Sequence, residues 1–305
     1  MSAEGDPLVV LVNPTAGGGR AGEVWKTLRE TEPRLAGARV VASGETDAAL
    51  AELDESLGTS GAEAPGRLLV VGGDGTLSRV GDFLLKRQAP PPPVGLVPAG
   101  TGSDLARALG LPREPGAALA RALEARPRPV DALEIRTADG RWRFALNIAS
   151  AGISGEVDQA VSALVHRGKT AYLGATLGAL VRYRPARCRI ALDGEAWHEG
   201  EILLLAVANG TTFGRGMRIA PEAKLDDGLA DVILVRRLPG WQVPIQVPRL
   251  YMGTHLGCRY VEHRRAEKVV IEPLAEMPPF DLDGDPWPAS KAEITVVPAA
   301  LELLF

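Results

Sequence analysis

From Leu8 to Gly100 the chain alternates short apolar runs with longer amphipathic stretches. PLVVLVNP, ARVVAS, RLLVV and PPPVGLVPAG are rich in Val and Leu and bounded by Gly, Pro or Asn, which predicts buried strands. The stretches between them repeat apolar residues at helical spacing. RAGEVWKTLRETEPRL places Val24, Leu28 and Leu35 near one face, TDAALAELDESL opens on a Thr or Asp cap, and TLSRVGDFLLKR and SDLARAL follow the third and fourth strands. Strands and helices alternating at this interval form crossover units, and crossover units give a largely parallel sheet.

After about Val130 the pattern changes. DALEIRTADGRWRFALNIASAG alternates around an Asp-Gly turn, the local sign of an antiparallel hairpin, and RCRIALDG, GEILLLAVANG, LADVILVRR, EKVVIEP and AEITVV are further strands. Only Glu156 to about Tyr183 and a stretch near Trp241 to Leu256 interrupt them as helices. The reading is therefore an α/β domain over residues 1–129 and an antiparallel β-sandwich over 130–305, whose extreme C-terminus is free to pack back on the first. The proline-punctuated Ala125–Pro129 is the expected hinge.

At 305 residues the chain has room for two cores, and with aromatics at only 5% those cores are built from Ala, Leu and Val. A net charge of −4 without any basic block excludes a nucleic-acid footprint. Cys188 and Cys258 stand alone, without metal or disulfide spacing. No basic leader and no long apolar window is present, so a cytoplasmic protein is expected, in solution or peripheral at the inner membrane face.

Three strands of the first domain end in glycine-rich elbows: NPTAGGGR (Asn13–Arg20), VVGGDGTLSRV around Gly72–Ser78, and PAGTGSDLA (Pro98–Ala106). Beyond the carboxyl ends of parallel strands, bare backbone and helix N-termini can approach a phosphate. Asp74 is the odd member. A carboxylate beside an anion requires a cation or a hydrogen-bond network, which points to a Mg-nucleotide. There is no GxxxxGK[ST], and GTGSD is a poor match to a dinucleotide fingerprint.

These elbows, together with KLDDGLADV and DLDGDPW and in this order, resemble the diacylglycerol kinase catalytic-domain family, specifically its soluble bacterial lipid kinases. The resemblance spans nearly the whole chain. It implies a Rossmann-like nucleotide-binding domain and a sandwich domain, the fold of NAD kinases and diacylglycerol kinases. It implies ATP- and Mg²⁺-dependent phosphorylation of a lipid hydroxyl in the cleft between the domains. Carried over by position, the nucleotide meets Asn13, Pro14, Thr15, Ala16, Gly17, Ser43, Gly72, Gly73, Asp74, Gly75, Thr76, Leu77, Ser78, Thr101 and Asp104. Ser103 stands where the family has Asn. Lys224, Asp227 and Leu229 correspond to a structural Mg²⁺ site, although Asp-Asp-Gly between strands is also a favourable turn without metal. Asp285 takes the place of the family's glutamate base, one methylene shorter, with Asp283 as its rival and Asp74 in the polar network at the phosphates.

Arg20 and Lys169 are candidate sources of positive charge. The alanine- and leucine-rich stretch 159–187, with Arg167, Lys169, Arg182, Arg184 and Arg187, suggests transient contact with an anionic membrane, or else a helix packed on the sandwich. An NAD- or sugar-type kinase and a non-catalytic ATP-binding regulator are the competing functions. Oligomeric state is open, a homodimer included.

Overall fold

The computed structural model describes residues 8–58, 66–154, 183, 185–288 and 290–305. The chain divides into two compact units, Met1–Val130 with Ala299–Phe305, and Asp131–Pro298. The predicted helix Glu156–Tyr183, apart from Tyr183 itself, lies outside the described residues, as do Lys169 and nearly all of the stretch 159–187.

In the first unit β1 (Leu8–Val12), β2 (Arg39–Ala42), β3 (Arg67–Gly72) and β4 (Val94–Pro98) pair in parallel in the order β2-β1-β3-β4. The helices α1 (Arg20–Thr31), α2 (Thr46–Leu57), α3 (Asp74–Lys86), α4 (Asp104–Ala108) and α5 (Pro115–Glu124) follow or connect these strands. Val10, Val12, Leu69, Val71 and Val97 pack with Ala21 and Leu28 of α1 and with Leu119 and Ala122 of α5. The alternate positions Val9, Leu11, Leu68, Val70 and Leu96 are equally buried. Both faces are covered, which is why these strands read as unbroken apolar runs.

Several local expectations differ from the structure. The N-cap of α2 is Glu45 and makes no side-chain cap bond; Thr76 lies inside the first turn of α3 behind Gly73. Leu35 falls in a separate 3-10 turn, Pro33–Leu35, because Pro33 cannot continue α1. The expected hinge Ala125–Pro129 overlaps the start of β5 (Pro127–Thr137), where proline's fixed φ and missing N–H suit the opening residues of a strand.

The second unit is antiparallel. Its first sheet takes β7 (Ile148–Gly152), β10 (Leu204–Ala208), β11 (Ala230–Val235), β12 (Val261–Ala266), β14 (Phe280–Leu282) and β15 (Asp285–Pro286) in the order β12-β11-β10-β7-β14-β15. The other joins β8 (Ala186–Leu192), β9 (Glu195–Ile202), β13 (Lys268–Pro273) and the start of β16 (Ala292–Leu304). β5 and β6 (Trp142–Ala145) form the predicted hairpin. Alternate residues of both sheets, among them Ile190, Ile271, Ile294, Leu205, Val207 and Val232, meet in one core. Each such side chain contributes about 1.5–3 kcal/mol of burial. One helix, α6 (Val243–Met252), follows β11. No helix among the described residues is long and apolar enough to cross a membrane.

Candidate active site

The four parallel strands of the first unit end at one edge, at Val12, Ala42, Gly72 and Pro98. β1 leads to β2 on one side and β3 to β4 on the other, so the edge has a switch point between β1 and β3, where open α/β sheets hold ligands. The three elbows meet there. Asn13 Nδ2 donates to Thr76 Oγ1 at 3.2 Å, joining the first elbow to the second. A methyl group on Gly100 would lie 2.5 Å from Gly73 Cα, so the second and third touch through bare backbone. Gly17, at φ +65°, closes the set: a methyl there would stand 2.2 Å from the Ala99 carbonyl oxygen. Side chains at these positions would force the elbows apart.

The elbows also present donors. α3 begins at Asp74 without a side-chain cap, which leaves first-turn N–H groups for an anion; α1 starts the same way behind Gly19. Asn13 Oδ1 accepts the Thr15 hydroxyl at 2.8 Å and its N–H at 3.2 Å, and so shapes the first loop. The Asp74 carboxylate sits at the positive end of α3 and accepts the Asp104 N–H at 2.6 Å, while the buried Asp104 pairs with Arg107 at 2.5 Å. Two acids thus share the site because each has a donor of its own. Beside the third elbow a cavity of about 260 Å³ is lined by Arg20, Thr101, Arg107 and Arg113.

Of the remaining predicted nucleotide residues, Pro14, Thr15 and Ala16 lie on the first elbow and Gly75 in the first turn of α3. Leu77 points into the core, and Ser78 is buried with its hydroxyl unpartnered among the described residues. Ser43 follows the neighbouring β2, its hydroxyl accepting the Glu45 N–H at 3.1 Å. Ser103 is left-handed at φ 58°, a conformation that suits Asn better.

In the second unit Asp283 and Gly284 have φ +54° and +85° and form the two-residue turn between β14 and β15, for which Asp-Gly is the favoured pair. The Asp283 carboxylate accepts the N–H groups of Leu146, Asn147 and Ile148 at 2.9–3.0 Å. It braces backbone. Asp285, half-buried, receives Arg143 Nη2 at 3.0 Å; Arg143 is itself buried and lies over the Trp287 ring. Asp281, two residues before the turn, is fully enclosed. Burial pushes its carboxyl up to about 6, against the opposing hydrogen bonds of Ser150, Ser154 and the Gly284 N–H.

The Lys224–Leu229 loop has its own cation. Asp227 Oδ1 accepts the Leu229 N–H at 3.2 Å, and Oδ2 pairs with Arg265, which also approaches Asp231 at 3.6 Å. Mg²⁺ on Asp227 and the carbonyls of Lys224 and Leu229 would first have to displace that guanidinium, so the donor set as arranged fits an ion-paired turn. Among the described residues no cluster of three His, Cys, Asp or Glu could hold a metal.

Sequence reading missed Arg143, Arg113 and a buried polar knot in the second unit. There Asn209 Nδ2 donates to the carbonyls of Asp131 and Leu146, and Asp131 Oδ2 accepts the Gly228 N–H at 2.7 Å. The one available signal was polarity inside apolar runs: Arg143 in WRFA and Asp131 at the head of VDAL.

Residues 7–135 match the family model of the diacylglycerol kinase catalytic domain, and residues 147–305 match that of the YegS C-terminal NAD kinase beta sandwich-like domain. A probable lipid kinase YegS-like from Stenotrophomonas maltophilia is 33% identical over 77% of this chain and 77% of its own length. A diacylglycerol kinase from Mycobacterium tuberculosis is 31% identical over 78% of this chain and 76% of its own. Among solved structures, a putative diacylglycerol kinase from Bacillus anthracis shares the fold with a TM-score of 0.77 at 22% identity, over 100% of this chain and 98% of that one. An NAD kinase from Archaeoglobus fulgidus is a more distant likeness, TM-score 0.52 at 14% identity, over 98% and 93%. The chain belongs to the diacylglycerol kinase catalytic-domain family and carries the YegS-type C-terminal domain.

Proposed function

We propose that this protein is a lipid kinase that transfers the γ-phosphate of ATP to a hydroxyl of diacylglycerol or a closely related lipid. The observation that carries the reading is the meeting of three bare backbone elbows at one switch point, where first-turn N–H groups of α1 and α3 are left uncapped by side chains. Asn13–Gly17 and Gly72–Thr76 hold the phosphates through N–H groups, while Thr101 and Arg20 border the cavity beside them. Asp74 and Asp104, the carboxylates at the elbows, would hold a Mg²⁺ brought with the nucleotide, which would supply neutralisation of phosphate charge.

Asp285 acts as general base. It takes the hydroxyl proton as the lipid oxygen bonds to the γ-phosphorus and the bond to the bridging β,γ-oxygen breaks, releasing ADP. Arg143 is a positioning residue that fixes the Asp285 carboxylate. Phosphoryl transfer needs alignment and charge neutralisation more than covalent chemistry, so one base suffices. Asp285→Asn is expected to lower kcat for lipid phosphorylation about 10²–10⁴-fold with the KM for ATP unchanged. Undiminished activity in that variant would remove Asp285 from the mechanism. Phosphate appearing only on NAD or sugar acceptors, or ATP binding with no turnover, would favour the competing functions.

A further inference from the structure

Six large apolar side chains are exposed among the described residues, and four of them, Trp241, Ile245, Tyr251 and Met252, fall on α6 and the turn that leads into it. Trp241, Ile245, Pro248 and Met252 recur at intervals of four, three and four residues, the spacing of a single helical face. Trp241 is 64% exposed and Met252 59%. The helix is fixed to its own unit by the opposite side. Leu250 packs against the cluster of Ile148, Ala206, Ile219 and Ile233, and its carbonyl accepts the Arg218 N–H at 3.1 Å. α6 is therefore apolar on two sides, one packed against the core and one bare. Isolated exposed apolar residues are ordinary, but a contiguous stripe marks a contact surface.

The charge around the stripe indicates what it meets. Residues 236–260 contain Arg236, Arg237, Arg249 and Arg259 and no Asp or Glu, in a chain whose net charge is −4. Arg237 keeps 71% of its side chain in solvent, with Glu201 as distant as 3.8 Å. A tryptophan, an isoleucine and a methionine in line, flanked by arginines, suit the boundary between acyl chains and anionic headgroups. The geometry points to α6 as the element that inserts shallowly into an anionic bilayer. This deepens the lipid-kinase reading, because it gives the enzyme a place to reach a substrate dissolved in the membrane.

The test uses the full chain and vesicles of phosphatidylcholine with or without phosphatidylglycerol, in the absence of ATP. The parent should bind the phosphatidylglycerol vesicles, release at high salt, and lose about tenfold in partitioning on Trp241→Ser with Ile245→Gln, the equivalent of 1.4 kcal/mol. The same variant should keep its Tm and should phosphorylate a short-chain, water-soluble diacylglycerol as the parent does, while losing activity on vesicle-borne lipid. Unchanged vesicle binding in the variant overturns the proposal. So does salt-independent binding to pure phosphatidylcholine, or a parent dimer that the variant dissociates, since a second copy would then cover the stripe. Vesicle binding that behaves as expected without phosphorylation of any lipid would leave α6 in place and refute the kinase reading alone.

Discussion

Asp281, Asp283 and Asp285 alternate along five residues of chain, yet the structure sets them three separate tasks. Asp283 is held by three backbone N–H groups, Asp285 by one guanidinium, and Asp281 by two serines inside the core. Burial raises the Asp281 carboxyl to about 6, and the sign of its effect follows. The unfolded chain gives up this proton near pH 4 while the folded protein keeps it to about 6. The stability it supports is intact below pH 4, falls as pH rises, and is lost once pH passes 6. The drop amounts to about 2–3 kcal/mol. Asp281→Asn is expected to flatten the denaturant-measured stability between pH 4 and 6.5 relative to the parent; an unchanged slope would show that this carboxyl titrates normally. Spacing alone separates none of these roles. DLDGD announces a tight turn through Asp-Gly, but which acid braces the backbone depends on loop 146–148, far away in sequence.

At the scale of elements, legibility depends on how local the cause is. The elbows could be read because an apolar run broken by glycines is a pattern within ten residues, and the same holds for the Asp139-Gly140 hairpin. Helix starts were less readable: α2 begins behind Glu45 rather than on the expected Thr or Asp cap, and α3 begins behind Gly73 with Thr76 already in its first turn. The ion pairs were invisible. Arg265 faces Asp231 only through the register of β12 on β11, and reaches Asp227 from there. With that guanidinium on the loop, removing divalent cations by chelation should leave the Tm unchanged. Arg265→Gln leaves Asp227 and Asp231 without it, which should cost about 1–3 kcal/mol and make the Tm rise with millimolar Mg²⁺. A parent Tm that falls on chelation would mean that a cation holds the loop together with Arg265.

For the molecule as a whole, the path of the chain matters as much as its two cores. β16 is long enough to serve twice: Ala292–Thr295 pair antiparallel with β13, and Leu303 and Leu304 pair in parallel with β4. Leu301, Leu303 and Leu304 are buried, and Arg128 covers the ring of Phe305 at 4.2 Å. Deleting residues 299–305 strips β4 of one of its two neighbours, so the shortened protein is expected to lose nucleotide affinity and to be cut by protease within residues 1–130 before the sandwich. A protease pattern identical to that of the parent would show that β4 needs no such neighbour. Synthesis proceeds in the opposite order to completion. The ribosome releases the glycine loops early, but β4 meets Leu303 and Leu304 only after the sandwich segment has been made, so the sheet that carries those loops is paired on this side last.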